Sequence, residues 1–336
     1  MLTDKELKFV DLSGYIFSGK AAVSDLLREF SGYHVPPAEQ EFELIRIQGG
    51  IRDLETALVT DWSPIRANFA INKFKQVVTR LGVKNNKWDI RTWFEGAGWS
   101  YEKTYGCDFL KKSFDFINDF IVAEWRTDWP YPRADLSSVE LLYHKILKFI
   151  GMSGAYKFNV SLAKSDEDKF LLRVDKYLRS ILCYGRGSKD KAIVIHNGFE
   201  PFNPERGMRY IKDSKCILID RDPRDSYVAQ APHSHLSLDV NSYIDRYKCY
   251  RLQNFQTNDS RVLRLRYEDL IYEYENTVKK ILDFLEEGID IHRFPKKFFD
   301  PGKSVKYTNL WQEYPFQEEI KKIDRELGEF CDKRLS

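Results

Sequence analysis

A chain of 336 residues with 53 Lys and Arg against 51 Asp and Glu carries a net charge of +2, which excludes the broad basic field of a nucleic-acid or anionic-membrane binder. Its 43% hydrophobic and 31% charged residues describe a globular chain with a sizeable core and exclude intrinsic disorder. Five scattered cysteines (Cys107, Cys183, Cys216, Cys249, Cys331) without CxxC spacing exclude a zinc framework and argue against a disulfide scaffold. No apolar run approaches the ~18 residues of a membrane span, and the polar start MLTDKELKF does not read as a signal peptide. A cytoplasmic protein in a reducing compartment is expected. The 15% aromatic share reads first as core packing and second as stacking platforms for sugar rings.

The first element is the apolar run Phe9-Val10-Asp11-Leu12, a strand ending in Ser13-Gly14. Val23, Leu26, Leu27 and Phe30 follow at i, i+3, i+4, i+7, which predicts a helix with one buried face. The stretch from about 33 to 188 differs. It is rich in Trp and Tyr and broken by His34-Val35-Pro36-Pro37 and Asp128-Trp129-Pro130-Tyr131-Pro132. Its periodic parts, Val139, Leu142, Tyr143, Ile146 and then Val174, Leu178, Ile181, are helical, with little strand signal between them. From about 190, Ala192–Ile195, Cys216–Ile219 and the weaker Val262–Leu265 read as buried parallel strands. Helical stripes lie between and after them at Val240, Tyr243, Ile244, Tyr247 and at Val278, Ile281, Leu282, Leu285. A last one holds Ile320, Ile323, Leu327 and Phe330. The expected fold is α/β, a P-loop-like three-layer arrangement of a central parallel sheet flanked by helices, with a largely helical middle insertion. It is read as one domain over 1–336: a core of 8–32 and 190–311, the insertion at about 33–188, and a C-terminal helix at 314–334. Ligands of such folds bind at the carboxyl ends of the strands.

Two candidate anion sites fall at such strand ends. Gly14-Tyr15-Ile16-Phe17-Ser18-Gly19-Lys20-Ala21 satisfies GxxxxGK, in which glycines turn backbone N–H groups toward a phosphate and a helix dipole adds positive potential. Nucleotide triphosphatases place Ser or Thr next, to hold Mg²⁺; here Ala21 and Ala22 follow, so the loop reads as a phosphate cradle that needs no metal. The second site follows Cys216–Ile219: in Asp220-Arg221-Asp222-Pro223-Arg224-Asp225, Asp222 can cap a helix starting at Pro223, and Arg221 can fork onto a phosphate or sulfate. Together they suit a ligand with two separated phosphates.

These residues resemble the sulfotransferases that use phosphoadenosine phosphosulfate (PAPS). Phe17, Ser18, Gly19, Lys20, Ala21 and Ala22 look like that family's loop around the 5′-phosphosulfate, and Ile219–Asp225 like its strand-turn-helix for the 3′-phosphate. Leu265-Arg266-Tyr267-Glu268-Asp269-Leu270 is similar to its late Tyr-Glu-Asp-Leu segment, which implies that Tyr267 lies near the adenine. Gly302–Trp311 resembles its closing basic loop, which implies a cofactor role for Lys303 and Lys306. The four segments occur in family order and span residues 8 to 311. Phe17 stands where the family often has Lys or Arg, and Lys20 takes its Thr position, so Lys20 becomes the expected catalytic cation. The serine usual eight residues after the arginine is Ala229 here, leaving Ser226 or Gln230 to compensate.

The resemblance implies transfer of a sulfuryl group from PAPS to a hydroxyl or amine of an acceptor, a carbohydrate or glycan, bound by the middle region. It leaves adenosine 3′,5′-bisphosphate and uses no metal. The family's base is often a histidine after the strand preceding the 3′-phosphate motif, which is His196 here; Glu200 is the alternative. His233 and His235 form an HxH without an evident third ligand; His34, His144 and His292 are read as packed, solvated or beside turns. Two other functions remain open. A P-loop kinase would use Asp220 as its metal carboxylate, and a glycan-binding protein would keep the fold without the chemistry.

Overall fold

The opening apolar run becomes β1 (Lys8–Gly14), with Phe9 to Ser13 all buried, as a strand covered on both faces must be. In the computed structural model, which describes residues 7–15, 17–83, 98–152, 157–233, 239–252 and 259–335, β1 is the middle strand of a five-stranded sheet. The others are β2 (Tyr33–His34), β5 (Ala192–His196), β6 (Ser214–Asp220) and β7 (Val262–Arg266), in the order β2-β5-β1-β6-β7, all parallel. The register sets Leu12 beside His196, Gly14 beside Ile219 and Asp220 beside Arg266. One edge of the sheet therefore collects the carboxyl ends of β1, β5, β6 and β7. This is the edge where α/β folds bind ligands.

Helices cover both faces. On one, Val23, Leu26 and Leu27 of the helix Lys20–Leu27 pack with Val10, Leu12 and Ile217, and with Val278, Ile281 and Leu282 of the helix Tyr274–Leu285. The first helix is shorter than its stripe. It ends at Leu27 with Arg28 as its cap, and Phe30, still buried, bridges to His292 beyond it. Fully buried Glu29 accepts from His292 Nε2 at 2.8 Å and from the N–H groups of Lys296, Phe298 and Phe299 at 3.1, 2.8 and 2.9 Å. It anchors the chain leading to the segment 301–307. A second cluster joins Tyr227, Tyr243, Ile244 and Tyr247 to Ile320, Ile323 and Leu327. That last helix runs Gln317–Leu327, shorter than the expected 314–334, because Pro315 precedes it and its final turn tightens at Gly328–Phe330.

The chain divides into two compact units, Met1–Glu43 with Gly185–Ser336, and Leu44–Tyr184. In the second, the helices Pro64–Gly82, Phe109–Asn118 and Glu167–Leu182 bury Ile71, Phe74, Phe116, Val174, Leu178 and Ile181. It is not helical alone. An antiparallel pair, β3 (Ile121–Thr127) and β4 (Phe158–Ala163), adds strands to a largely helical stretch where the sequence carries little strand signal. Val122 to Arg126 are all exposed, so β3 carries no apolar alternation to betray it. The helix at Ser138–Phe149 forms as its periodicity predicts, started by a capping box of Ser137 and Glu140. Its stripe Val139, Leu142, Tyr143 and Ile146 is nonetheless 50–77% exposed.

Candidate functional site

The loop after β1 is shaped by two demands on glycine. Gly19 sits at φ +87° before the helix Lys20–Leu27, and a Cβ there would lie 2.4 Å from Tyr267 Cδ2. No side chain caps this helix, so its first-turn N–H groups and dipole face the loop. Gly14 is closed off in the same way, since a Cβ would fall 2.2 Å from Ser18 Oγ. Phe17 takes the left-handed conformation at φ 59°, and its ring lies 5.1 Å from that of His233. Ala21 is exposed, and Ala22 packs on the core with its N–H donating to Gly19 O at 2.9 Å; neither carries a hydroxyl. Ile16 and His235 lie outside the described residues.

Arg221 joins three separate segments. Its Nη1 donates to Phe17 O at 3.1 Å, its Nη2 to Tyr307 O at 2.5 Å, and its guanidinium lies 5.1 Å from the Tyr267 ring centre. Tyr267 donates to Ser304 O at 3.2 Å, and burial pushes its hydroxyl up to about 12, a neutral donor at any ordinary pH. The structure thus brings the glycine loop, Arg221, Tyr267 and the segment 301–307 together. Lys303 and Lys306 lie on that segment at the surface, Lys303 beside Asp300 at 3.4 Å and Lys306 5.0 Å from the Tyr307 ring.

The rest of the charge run is scaffold. Asp222 caps the helix Pro223–Gln230 and pairs with Arg224 at 2.7 Å, while its own N–H donates to buried Glu268 at 2.8 Å. Asp225 receives Asn309 N at 2.9 Å and Trp311 N at 3.4 Å, tying the later loop to this helix. Both oxygens of Asp220 are held by Arg251, at 3.0 and 2.8 Å.

Lys20 rises from the helix start onto Glu41, Nζ to Oε1 2.6 Å, and the same oxygen accepts from Asn197 Nδ2 at 2.5 Å. Asn197, at φ 51°, also takes Gly14 N on its Oδ1 at 3.2 Å. Glu41 and Asn197 were not singled out in the sequence. Glu41 stands in irregular chain after β2, where no periodicity marks it, and only a Lys-to-carboxylate pairing through the fold reveals it. Its side chain is 37% exposed, accessible to a ligand.

His196 ends β5 as expected but is enclosed at 1% exposure. Its Nε2 lies 3.0 Å from Pro36 O, a group that can only accept, so Nε2 carries the proton and Nδ1 is left without a partner. Burial pushes its pKa down to about 4. The folded ring stays neutral where the unfolded ring charges near 6.5, so stability is full above that pH and is lost as pH falls toward 4. Urea unfolding should show the wild type losing about 3 kcal/mol between pH 7 and 4 that His196→Gln does not lose. A constant gap between the two proteins across that range would mean the ring titrates normally. Glu200, the alternative base, is half-buried and lies within electrostatic reach of Tyr15.

No family model and no curated protein matches this sequence. Among solved structures, the chain is similar to the sulfotransferase domain from the Synechococcus PCC 7002 olefin synthase, at 13% identity and TM-score 0.41, over 96% of this chain and 94% of that one. It is similar to a sulfotransferase from Mycobacterium avium at 12% identity and TM-score 0.40, over 97% and 78% of the two chains. It is similar, too, to retinol dehydratase in complex with androsterone and the inactive cofactor PAP, at 12% identity and TM-score 0.37, over 97% and 81%. At that distance, function is read from this chain's own residues.

Proposed function

We propose that the protein is a sulfotransferase that moves a sulfuryl group from PAPS to a hydroxyl or amine of an acceptor, a carbohydrate or glycan. The observation that carries this reading is the meeting of Arg221 with Phe17 O and the Tyr267 ring, because it joins the two anion motifs and an aromatic platform at one sheet edge. A nucleotide with phosphates on its 5′ and 3′ sides would lay the first on the Ser18–Ala22 backbone and the second by Arg221, with adenine against Tyr267.

The chemistry needs three acts from the protein. The acceptor oxygen attacks sulfur in line, the bond from sulfur to the bridging phosphate oxygen breaks, and the acceptor's proton leaves to a base. Lys20 neutralises charge on the departing phosphate. Glu41 takes the proton in this reading, in place of His196, whose ring is buried and already bonded through Nε2. When the donor draws Lys20 to its phosphate, the ion pair opens and releases the carboxylate. His196 then serves by holding the Pro36 carbonyl beside Glu41's segment.

Kinase chemistry fits less well. Ala21 supplies no hydroxyl for Mg²⁺, and Asp220 is spent on Arg251. Thermal unfolding separates the two. Adenosine 3′,5′-bisphosphate at 100 times its Kd should stabilise the fold by roughly 2.7 kcal/mol, a rise of a few degrees, and ATP with Mg²⁺ should not. Stabilisation by ATP with Mg²⁺ alone would replace the sulfotransferase reading with the kinase.

A further inference from the structure

Asp11 lies wholly enclosed in the middle strand of the sheet, and among the described residues no cation pairs with it. It and the two residues after it each hold one residue of the turn that follows β5. Asp11 Oδ1 accepts from Gly198 N at 2.7 Å, Leu12 O accepts from Asn197 N at 2.9 Å, and Ser13 Oγ donates to Phe199 O at 2.7 Å. Gly198 permits this approach, since a Cβ there would fall 2.7 Å from Ile195 Cγ2 and 3.2 Å from Asp11 Oδ1. The turn has to be held. Asn197 sits at φ 51°, a left-handed conformation that a non-glycine residue keeps when its surroundings fix it. Its side chain serves the site: Nδ2 donates to Glu41 Oε1 at 2.5 Å, and Oδ1 accepts from Gly14 N at 3.2 Å.

Ser13 has more partners than hydrogens. Its Oγ also meets Asp11 Oδ2, and a hydroxyl has a single hydrogen to give. Phe199 O can only accept, so that hydrogen goes to the carbonyl, and the second contact then requires a proton on Asp11. Burial favours that proton. It pushes the Asp11 carboxyl up to about 6, against the hydrogen bonds from Ser13 and the turn and against the charge of Lys20. Cys216, whose Sγ lies 3.7 Å from Oδ2 on the neighbouring strand β6, is itself kept protonated by burial. His196, in register with Leu12, turns its ring to the other face of the sheet, where Nε2 lies 3.5 Å from Ser24 Oγ. We infer that Asp11 is a positioning residue whose carboxyl proton sets the hold on Asn197, and through Asn197 on the Glu41 carboxylate. Protonated, Asp11 donates to Ser13, and Ser13 donates to Phe199 O. Once its proton has gone to solvent, the carboxylate draws the Ser13 hydrogen to itself and the carbonyl loses its donor. This deepens the sulfotransferase reading and rests on it for the role of Glu41.

Asp11→Asn fixes the first state, because its amide can donate to Ser13 and accept from Gly198 at every pH. Turnover with PAPS and a hydroxyl acceptor, followed from about pH 5 to about pH 8, should show the ratio of variant to wild-type kcat rising severalfold. Ser13→Ala removes the link at every pH, so its kcat should fall below wild type at the acid end and approach it at the alkaline end. Either ratio holding constant across the range would overturn the inference. Urea unfolding reads the proton without substrate. The folded acid holds its proton more tightly than the unfolded one, so this contribution to wild-type stability is full below about pH 4 and is lost as pH rises through about 6. The unfolding constant of the wild type, relative to that of Asp11→Asn, should grow about 100-fold over that range. A ratio of unfolding constants that does not change would show a carboxyl ionised throughout and would overturn the inference by itself. Absence of PAPS turnover in the wild type, with the unfolding shift present, would instead overturn the sulfotransferase reading and the role given to Glu41.

Discussion

Lys20→Ala is expected to lower turnover by about 10²–10³-fold, the range seen when one donor to a developing charge is removed. Affinity for adenosine 3′,5′-bisphosphate should change far less. The reason is where the charge appears. The bridging oxygen gains most of its negative charge only as the sulfur–oxygen bond breaks, so a cation aimed at it acts chiefly in the transition state. In the resting protein Lys20 is paired with Glu41 at 2.6 Å, so ground-state binding of a nucleotide must exchange one partner for another and gains little. Steady-state rates with PAPS and a hydroxyl acceptor, set beside calorimetry of the bisphosphate, read both quantities. A mutant that loses only KM would make Lys20 a binding residue.

Glu41→Gln should cost about 10²–10⁴ in kcat, the usual worth of positioned proton transfer. Two further results distinguish a base from a mere partner of Lys20. The variant should bind the bisphosphate as tightly as wild type or more tightly, because the ammonium is no longer neutralised. His196→Gln, whose amide can still donate to Pro36 O, should keep turnover near that of the wild type. If the histidine variant is dead and the Glu41 variant active, the proton goes to the ring and its enclosure opens on substrate binding.

How far the sequence reaches follows from what each element must do. β1, β5 and β6 are buried on both faces, so continuous apolar runs mark them, and glycines and Pro223 mark the turns at their ends. The segments around Lys20, Arg221 and Tyr267 were readable for that reason. β3 was not, since a strand exposed on both sides need not alternate. Glu41 lies in chain without regular structure, and only its position across from Lys20 gives it meaning. Arg246 shares one helical face with Tyr243, Tyr247 and Tyr250, a spacing visible in the sequence that reads as packing, and its guanidinium does lie over the Tyr243 and Tyr250 rings. The helix at Ser138–Phe149 shows the converse, for its period is correct and its apolar stripe faces solvent.

The position of β1 has a consequence for how the protein is made. It leaves the ribosome before the other strands of its sheet, and both of its neighbours, β5 from Ala192 and β6 from Ser214, are encoded after the whole of the Leu44–Tyr184 unit. At roughly 5–20 residues per second, the apolar run Phe9–Leu12 waits on the order of ten seconds or more with neither edge paired. During that wait the second unit can complete its own helices and hairpin, while the first has only the helix Lys20–Leu27 to shield its strand. The nascent chain is therefore most exposed to aggregation before about residue 220 is reached, and destabilising the closure of the first unit would be felt as lost yield rather than as lowered activity.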